Sequence, residues 1–85
     1  MPTTTAIVGS SIGLHARPAG IIADAVTESG VEVTLAVGDD EAVDAGSALM
    51  IMTLGATVGT EVIISSDDPD VLATVAKLVE ADLDA

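Results

Sequence analysis

Gly30-Val31-Glu32-Val33-Thr34-Leu35-Ala36-Val37-Gly38-Asp39-Asp40 is the stretch whose pattern decides the fold. Val31, Val33, Leu35 and Val37 alternate with Glu32, Thr34 and Ala36, the period of two expected of a half-buried strand. Gly38-Asp39-Asp40 reads as a turn, and Glu41 to Asp44 as a short edge strand that completes a hairpin. A strand needing cover on one face suits a sheet whose helices lie on a single side.

Working upstream, Ile21, Ile22, Ala25 and Val26 recur at helical spacing, and Gly30 supplies a C-terminal stop. Pro18 is tolerated in a first helical turn, where its missing N–H would have no partner anyway. A helix is therefore expected from about Ala16 to near Ser29. Gly9, Ser10, Ser11 and Gly13 mark an irregular loop before it, and the β-branched stretch Thr3 to Val8 reads as the first strand.

Downstream, Ser47 as N-cap and Gly55 beyond the end favour a short helix over the apolar run Ala48-Leu49-Met50-Ile51-Met52, with a strand as the alternative. Thr60 to Ser66, carrying Val62, Ile63 and Ile64, reads as a last, central strand. Asp68 and Pro69 then open a helix as N-cap and first residue. Its apolar stripe is Val71, Leu72, Val75, Leu78 and Val79, with Asp70, Lys77 and Glu80 lying away from it. The order βαββαβα predicts an α+β open-faced β-sandwich, a four-stranded antiparallel sheet with three helices on one face. One domain spanning residues 1–85 is expected, since half this length could not build a core.

Composition narrows the function. The chain is 49% apolar and has no cysteine, which excludes disulfides and thiolate metal sites. Its start, Met1-Pro2-Thr3-Thr4-Thr5, lacks the basic region and apolar run of a secretory signal. No apolar run approaches the ~18 residues of a membrane span. A soluble, cytoplasmic monomer without membrane insertion is expected. Fourteen acidic residues face only Arg17 and Lys77, for a net charge of −12. That balance argues against nucleic-acid binding, and the absence of Phe, Tyr and Trp removes the stacking platforms of single-strand binders. Protein partners are expected instead.

His15, the single histidine, stands just before the expected helix start and beside the single arginine, Arg17. Neutral imidazole is a competent nucleophile near physiological pH. A helix N-terminus offers unpaired N–H groups, here those of Ala16 and Arg17, and a partial positive charge. The guanidinium of Arg17 suits phosphate oxygens. A helix terminus is worth ~0.3–1 kcal/mol to a nearby anion, and a charge-assisted hydrogen bond roughly 1.5–3 kcal/mol. Together they can bias a labile N–P bond without making its transfer irreversible, which is the balance a carrier requires. No cofactor is called for.

The segment Gly13-Leu14-His15-Ala16-Arg17-Pro18-Ala19 resembles the phosphorylation site of the HPr family, the histidine phosphocarriers of the bacterial phosphoenolpyruvate:sugar phosphotransferase system. A second block, Ser47-Ala48-Leu49-Met50-Ile51-Met52-Thr53-Leu54-Gly55, is similar to that family's regulatory-serine helix at nearly the expected separation. The resemblance spans essentially the whole chain. It implies that His15 accepts a phosphoryl group at Nδ1 from phosphorylated enzyme I and donates it to a histidine of enzyme IIA domains. Arg17 would assist as the cation. The carrier would be a stoichiometric intermediate with no turnover of its own. By the same resemblance Ser47 matches the position phosphorylated by a dedicated HPr kinase in some Gram-positive bacteria. Partner docking would involve Gly20, Ala48, Leu49 and Met52, with Leu49 and Met52 left on the surface by the family's pattern. The plainer reading of the helix makes Met50 and Ile51 ordinary core, and a mixture of the two is expected.

Many family members ring the histidine with lysines. Here Asp24, Thr27 and Leu49 stand in the surrounding helices, so weak electrostatic steering is expected. A carrier of a regulatory nitrogen-type phosphotransferase system is the nearest alternative. More distant ones are a metal-binding domain using Asp39-Asp40-Glu41 or Asp67-Asp68-Asp70, and a hydrolase with His15 as base and Ser10 or Ser11 as nucleophile. Neither acid cluster matches a calcium loop, and nothing in the sequence specifies an oxyanion hole. A purely structural interaction module would differ from the carrier only in lacking chemistry at His15.

Overall fold

The structure, a computed structural model, describes residues 2–82. Its elements run β1 (Thr3–Ile7), α1 (Ala16–Ser29), β2 (Thr34–Ala36), β3 (Val43–Asp44), α2 (Ala48–Thr53), β4 (Glu61–Ser65) and α3 (Pro69–Glu80). The strands form one antiparallel sheet in the order β1-β4-β2-β3, so the last strand in sequence lies inside the sheet. This is the expected α+β open-faced sandwich.

Alternation along each strand sorts the two faces. Ala6, Leu35, Val62 and Ile64 are buried toward the helices, whereas Thr3, Thr5, Ile7 and Glu61 are exposed. The register that opposes Ala6 to Val62 and Leu35 to Ile64 keeps the inward side chains together across the sheet.

The hairpin strands are shorter than the alternation predicts. Gly30 ends α1 in the left-handed conformation at φ 69°, and the Val31 N–H turns back to the Ser29 hydroxyl at 3.2 Å. That local turn keeps Val31 and Glu32 out of the ladder. Val33 is still buried, and its carbonyl accepts the Ala45 N–H at 2.9 Å. On the other side, Asp40 donates its N–H to the Val37 carbonyl at 3.1 Å. The expected edge strand from Glu41 is thereby reduced to Val43–Asp44, paired at Leu35 and Thr34.

The helices cover the sheet with a narrower selection of side chains than their apolar content suggests. In α1 the buried residues are Pro18, Ala19, Ile22, Ala23 and Val26, while Ile21 is exposed and Ala25 half-buried. The spacing Ala19, Ile22, Ala23, Val26 is the helical i, i+3, i+4, i+7 stripe, and Ile21 falls beside it. In α3 Leu72, Val75 and Val79 are buried, with Val71 and Leu78 at the margin. Asp68 caps α3 as expected, accepting the N–H groups of Asp70 at 2.9 Å and Val71 at 3.3 Å. Among the described residues no helix is long and apolar enough to cross a membrane.

Candidate functional site

The loop from Gly9 to Leu14 carries the chain from β1 to α1, and it is pinned at both ends and in the middle. The Gly9 N–H bonds the Val79 carbonyl at 3.0 Å, and a Cβ at position 9 would lie 1.8 Å from the Glu80 carbonyl oxygen. The Ser10 hydroxyl donates to the Ala81 carbonyl at 3.1 Å, and the Ser10 carbonyl accepts the Gly13 N–H at 2.9 Å. Gly13 then turns at φ 78° against the backbone of Ala56 and Thr57, and Leu14 donates its N–H to the Ala56 carbonyl at 3.0 Å. Leu14 is buried, so the chain leaves this loop with an anchored side chain on one side of His15.

Pro18 and Ala19 are the anchors on the other side. His15 is itself the N-cap of α1, in an extended conformation at φ −91°, ψ −165°. Its carbonyl accepts the Ala19 N–H at 2.8 Å, the first turn of the helix. Its imidazole makes no capping hydrogen bond to that helix and is exposed. A typical N-cap residue spends its side chain on the first N–H groups. Here Ala16 and Arg17 occupy the first turn, where an N–H has no intrahelical acceptor, and Pro18 has no N–H to offer. The helix end thus presents the backbone donors of the two residues that follow His15 in the chain, and the side chain of Arg17 is exposed. Such an end attracts an anion by dipole and by donor geometry together.

Ser47 caps α2, its hydroxyl accepting the Met50 N–H at 3.3 Å. The helix packs against α1 and inserts Ile51, fully buried. Leu49 is 69% and Met50 41% exposed, while Ala48 and Met52 are half-buried against the core. The expectation of a core Met50 is therefore corrected. A short helix has room to bury one side, and Ile51 takes that side with Ala48 and Met52 flanking it. Of the other positions expected to dock, Gly20 is half-buried and offers backbone surface alone. Asp24 and Thr27 are exposed farther along α1.

Two exposed apolar residues, Ile12 and Val58, were not singled out from the sequence. They sit in the two loops that meet at Gly13 and Ala56–Thr57, a contact between distant segments that no local pattern announces. Ser10 is completely buried, with its hydroxyl directed to the end of α3, an arrangement unsuited to a nucleophile that must reach a substrate. Ser11 is exposed. Among the described residues, no group of three His, Asp or Glu side chains is placed to hold a metal ion. Asp68, a member of one acid cluster, is occupied as a helix cap. An open groove of about 500 Å³ lies at the opposite end of α1, lined by Val26, Thr27, Val31, Glu32 and Asp44 among others, and includes neither His15 nor Arg17. The His15 side chain is instead exposed at the surface, where a partner protein can reach it.

Residues 2–81 match the family described as the PTS HPr component phosphorylation site. The chain belongs to the HPr family. The phosphocarrier protein HPr of Streptomyces coelicolor is 44% identical over 73 residues, covering 86% of this chain and 78% of that protein. The HPr of Mycoplasma capricolum is 29% identical over 70 residues, covering 82% of this chain and 78% of that one. Among solved structures, an HPr from Thermoanaerobacter tengcongensis superposes with a TM-score of 0.85 at 26% identity, covering 100% of this chain and 98% of its own. The Bacillus anthracis HPr gives 0.82 at 25% identity, over 92% and 95% of the two chains. As a member of the HPr family the chain is a phosphocarrier of the phosphotransferase system. It is a carrier and not a catalyst in the usual sense.

Proposed function

We propose that Nδ1 of His15 is the atom that carries the phosphoryl group, received from phosphorylated enzyme I and passed to a histidine of enzyme IIA domains in the cytoplasm. The observation that carries this reading is the position of His15 as an N-cap whose side chain leaves the first turn uncapped. The Nδ1 lone pair attacks phosphorus while the N–P bond of the donor phosphohistidine breaks, and the ring proton resides on Nε2. The same steps run in reverse order of partner when the group is handed on. Atoms balance without water or any cofactor.

The N–H groups of Ala16 and Arg17 and the Arg17 guanidinium receive the phosphoryl oxygens. The dipole contributes ~0.3–1 kcal/mol, and a charge-assisted hydrogen bond roughly 1.5–3 kcal/mol. These terms stabilise the phosphorylated carrier modestly, so the group can still leave. Leu49 and Met50, with Gly20, Ala48 and Met52 around them, form the apolar surface on which successive partners dock. Ser47 is a cap first. A phosphate there would sit at the start of α2, beside that surface, and act as a charge switch where an HPr kinase is present.

Incubation with phosphoenolpyruvate and catalytic enzyme I tests the proposal. The expected product is heavier by one phosphate, loses it in acid, passes it to a IIA domain, and does not form with His15→Ala. A stable adduct on another residue, or no adduct with an enzyme I active on a second carrier, would overturn it.

A further inference from the structure

Ser10 is one of two polar residues buried completely among the described residues, and the phosphocarrier chemistry makes no direct use of it. It joins one long-range contact to one local turn. The hydroxyl reaches the Ala81 carbonyl just beyond α3, across 71 positions of sequence. The carbonyl of the same residue holds the Gly13 N–H at 2.9 Å. Gly13 is in turn wedged against Ala56 and Thr57, and the next residue bonds Ala56 before the chain reaches His15. The C-terminal end of α3 is therefore linked to the N-cap of α1 through one buried hydroxyl and one tight turn.

We propose that Ser10 is a positioning residue for phosphoryl transfer. It holds the 10–13 turn so that the His15 imidazole meets the first-turn N–H groups of α1 at a fixed distance and angle. The proposal rests on His15 as the phosphoryl acceptor, and it adds the residue that aims it. A buried hydroxyl has no water to replace a lost protein acceptor, so its contact with Ala81 constrains the loop more than an exposed serine could. Ser11, the next residue, is exposed and provides the control. The register of the turn also explains the neighbouring glycine: position 9 must pass against the Glu80 carbonyl to bring Ser10 within reach of Ala81.

The test compares Ser10→Ala, Ser10→Thr and Ser11→Ala with the unsubstituted chain. Two readouts are taken at a temperature where each variant is folded. One is the pair of imidazole ¹⁵N and ¹H resonances of unphosphorylated His15, which need no enzyme. The other is kcat and KM for phosphorylation by enzyme I. A misplacement of about 1 Å can cost on the order of 100-fold in rate, so a shift of a fraction of that distance should lower kcat by about 3- to 10-fold. Ser10→Ala is expected to move the His15 resonances and reduce kcat with KM unchanged. Ser10→Thr, which keeps the hydroxyl, should return both readouts toward the original values, and Ser11→Ala should move neither.

A Ser10→Ala protein that melts lower yet keeps the His15 resonances and kcat would show a structural role alone and overturn the proposal. If Ser10→Ala does not fold, a folded Ser10→Thr carries the decision: resonances and kcat close to the original support positioning by the hydroxyl, and their loss overturns it. Movement of the resonances in a chain that enzyme I never phosphorylates would show that Ser10 places the imidazole, yet refute the carrier role of His15 and, with it, a positioning role in phosphoryl transfer.

Discussion

Replacing Gly13 by alanine should be far more damaging than the same change at Gly55, although both glycines adopt a left-handed conformation, at φ 78° and φ 65°. Left-handed backbone costs a residue with a Cβ roughly 1–2 kcal/mol, a term common to the two variants. Nothing lies within 4 Å of a Cβ built at Gly55, so that term is the whole cost there. At Gly13 the new Cβ would lie 2.3 Å from the Ala56 carbonyl oxygen and 2.9 Å from the Thr57 Cα. Both obstacles are backbone atoms and cannot rotate aside. Relief requires the two loops to separate, stretching the Leu14 N–H bond to Ala56, now 3.0 Å. Overpacking of this kind costs about 1–3 kcal/mol, and the weakened hydrogen bond about 0.5–1.5 kcal/mol.

The total for Gly13→Ala is then roughly 2.5–6.5 kcal/mol, against about 1–2 kcal/mol for Gly55→Ala. A domain of this size has about 5–15 kcal/mol of stability in all. At about 4–8 °C per kcal/mol, Gly13→Ala should lower Tm by at least ~10 °C. Urea denaturation of both variants, with m unchanged, gives the two free energies directly. Because the strain falls just before His15, phosphorylation by enzyme I should also slow for Gly13→Ala below its Tm, and should not for Gly55→Ala. If the two alanines destabilise within about 0.5 kcal/mol of each other, an amount typical of independent surface changes, the argument from the Ala56 contact is refuted.

Three further outcomes are expected. Arg17→Ala, a change at an exposed side chain, should leave Tm nearly unaltered and slow phosphoryl transfer by roughly 10- to 100-fold, the equivalent of one charge-assisted hydrogen bond; rapid-quench transfer from phosphorylated enzyme I measures it. Ile51→Ala should cost about 2–5 kcal/mol of stability, whereas Leu49→Ala, at a position 69% exposed, should mainly raise the KM for partner proteins, a contrast read by denaturation and transfer kinetics on the same pair. Asp68→Ala should lose about 1 kcal/mol with its cap on Asp70 and Val71, and Asp68→Asn should lose much less, as thermal melts of the pair would show.

The sequence alone determined the element order, the three helix starts and the residue types at the site. Ser47, Asp68 with Pro69, and His15 ahead of Pro18 all act within one helical turn, so their meaning is carried by neighbours a few positions away. The alternation from Val31 to Val37 likewise located a strand and the face it buries, because Leu35 and its inward companions obey a period of two whatever they pack against.

Tertiary structure decided what depends on segments meeting from afar. The strand at Thr34–Ala36 is short because Ser29 and Gly30 redirect the chain, and because β3 offers it a brief partner. Ile51, and not Met50, entered the core because α2 docks on α1 in one orientation. Above all, the setting of His15 comes from Gly13 against Ala56 and from Ser10 against Ala81. Those contacts join residues far apart in sequence, and hydrophobic periodicity carries no information about which backbone carbonyl will arrive beside a given loop.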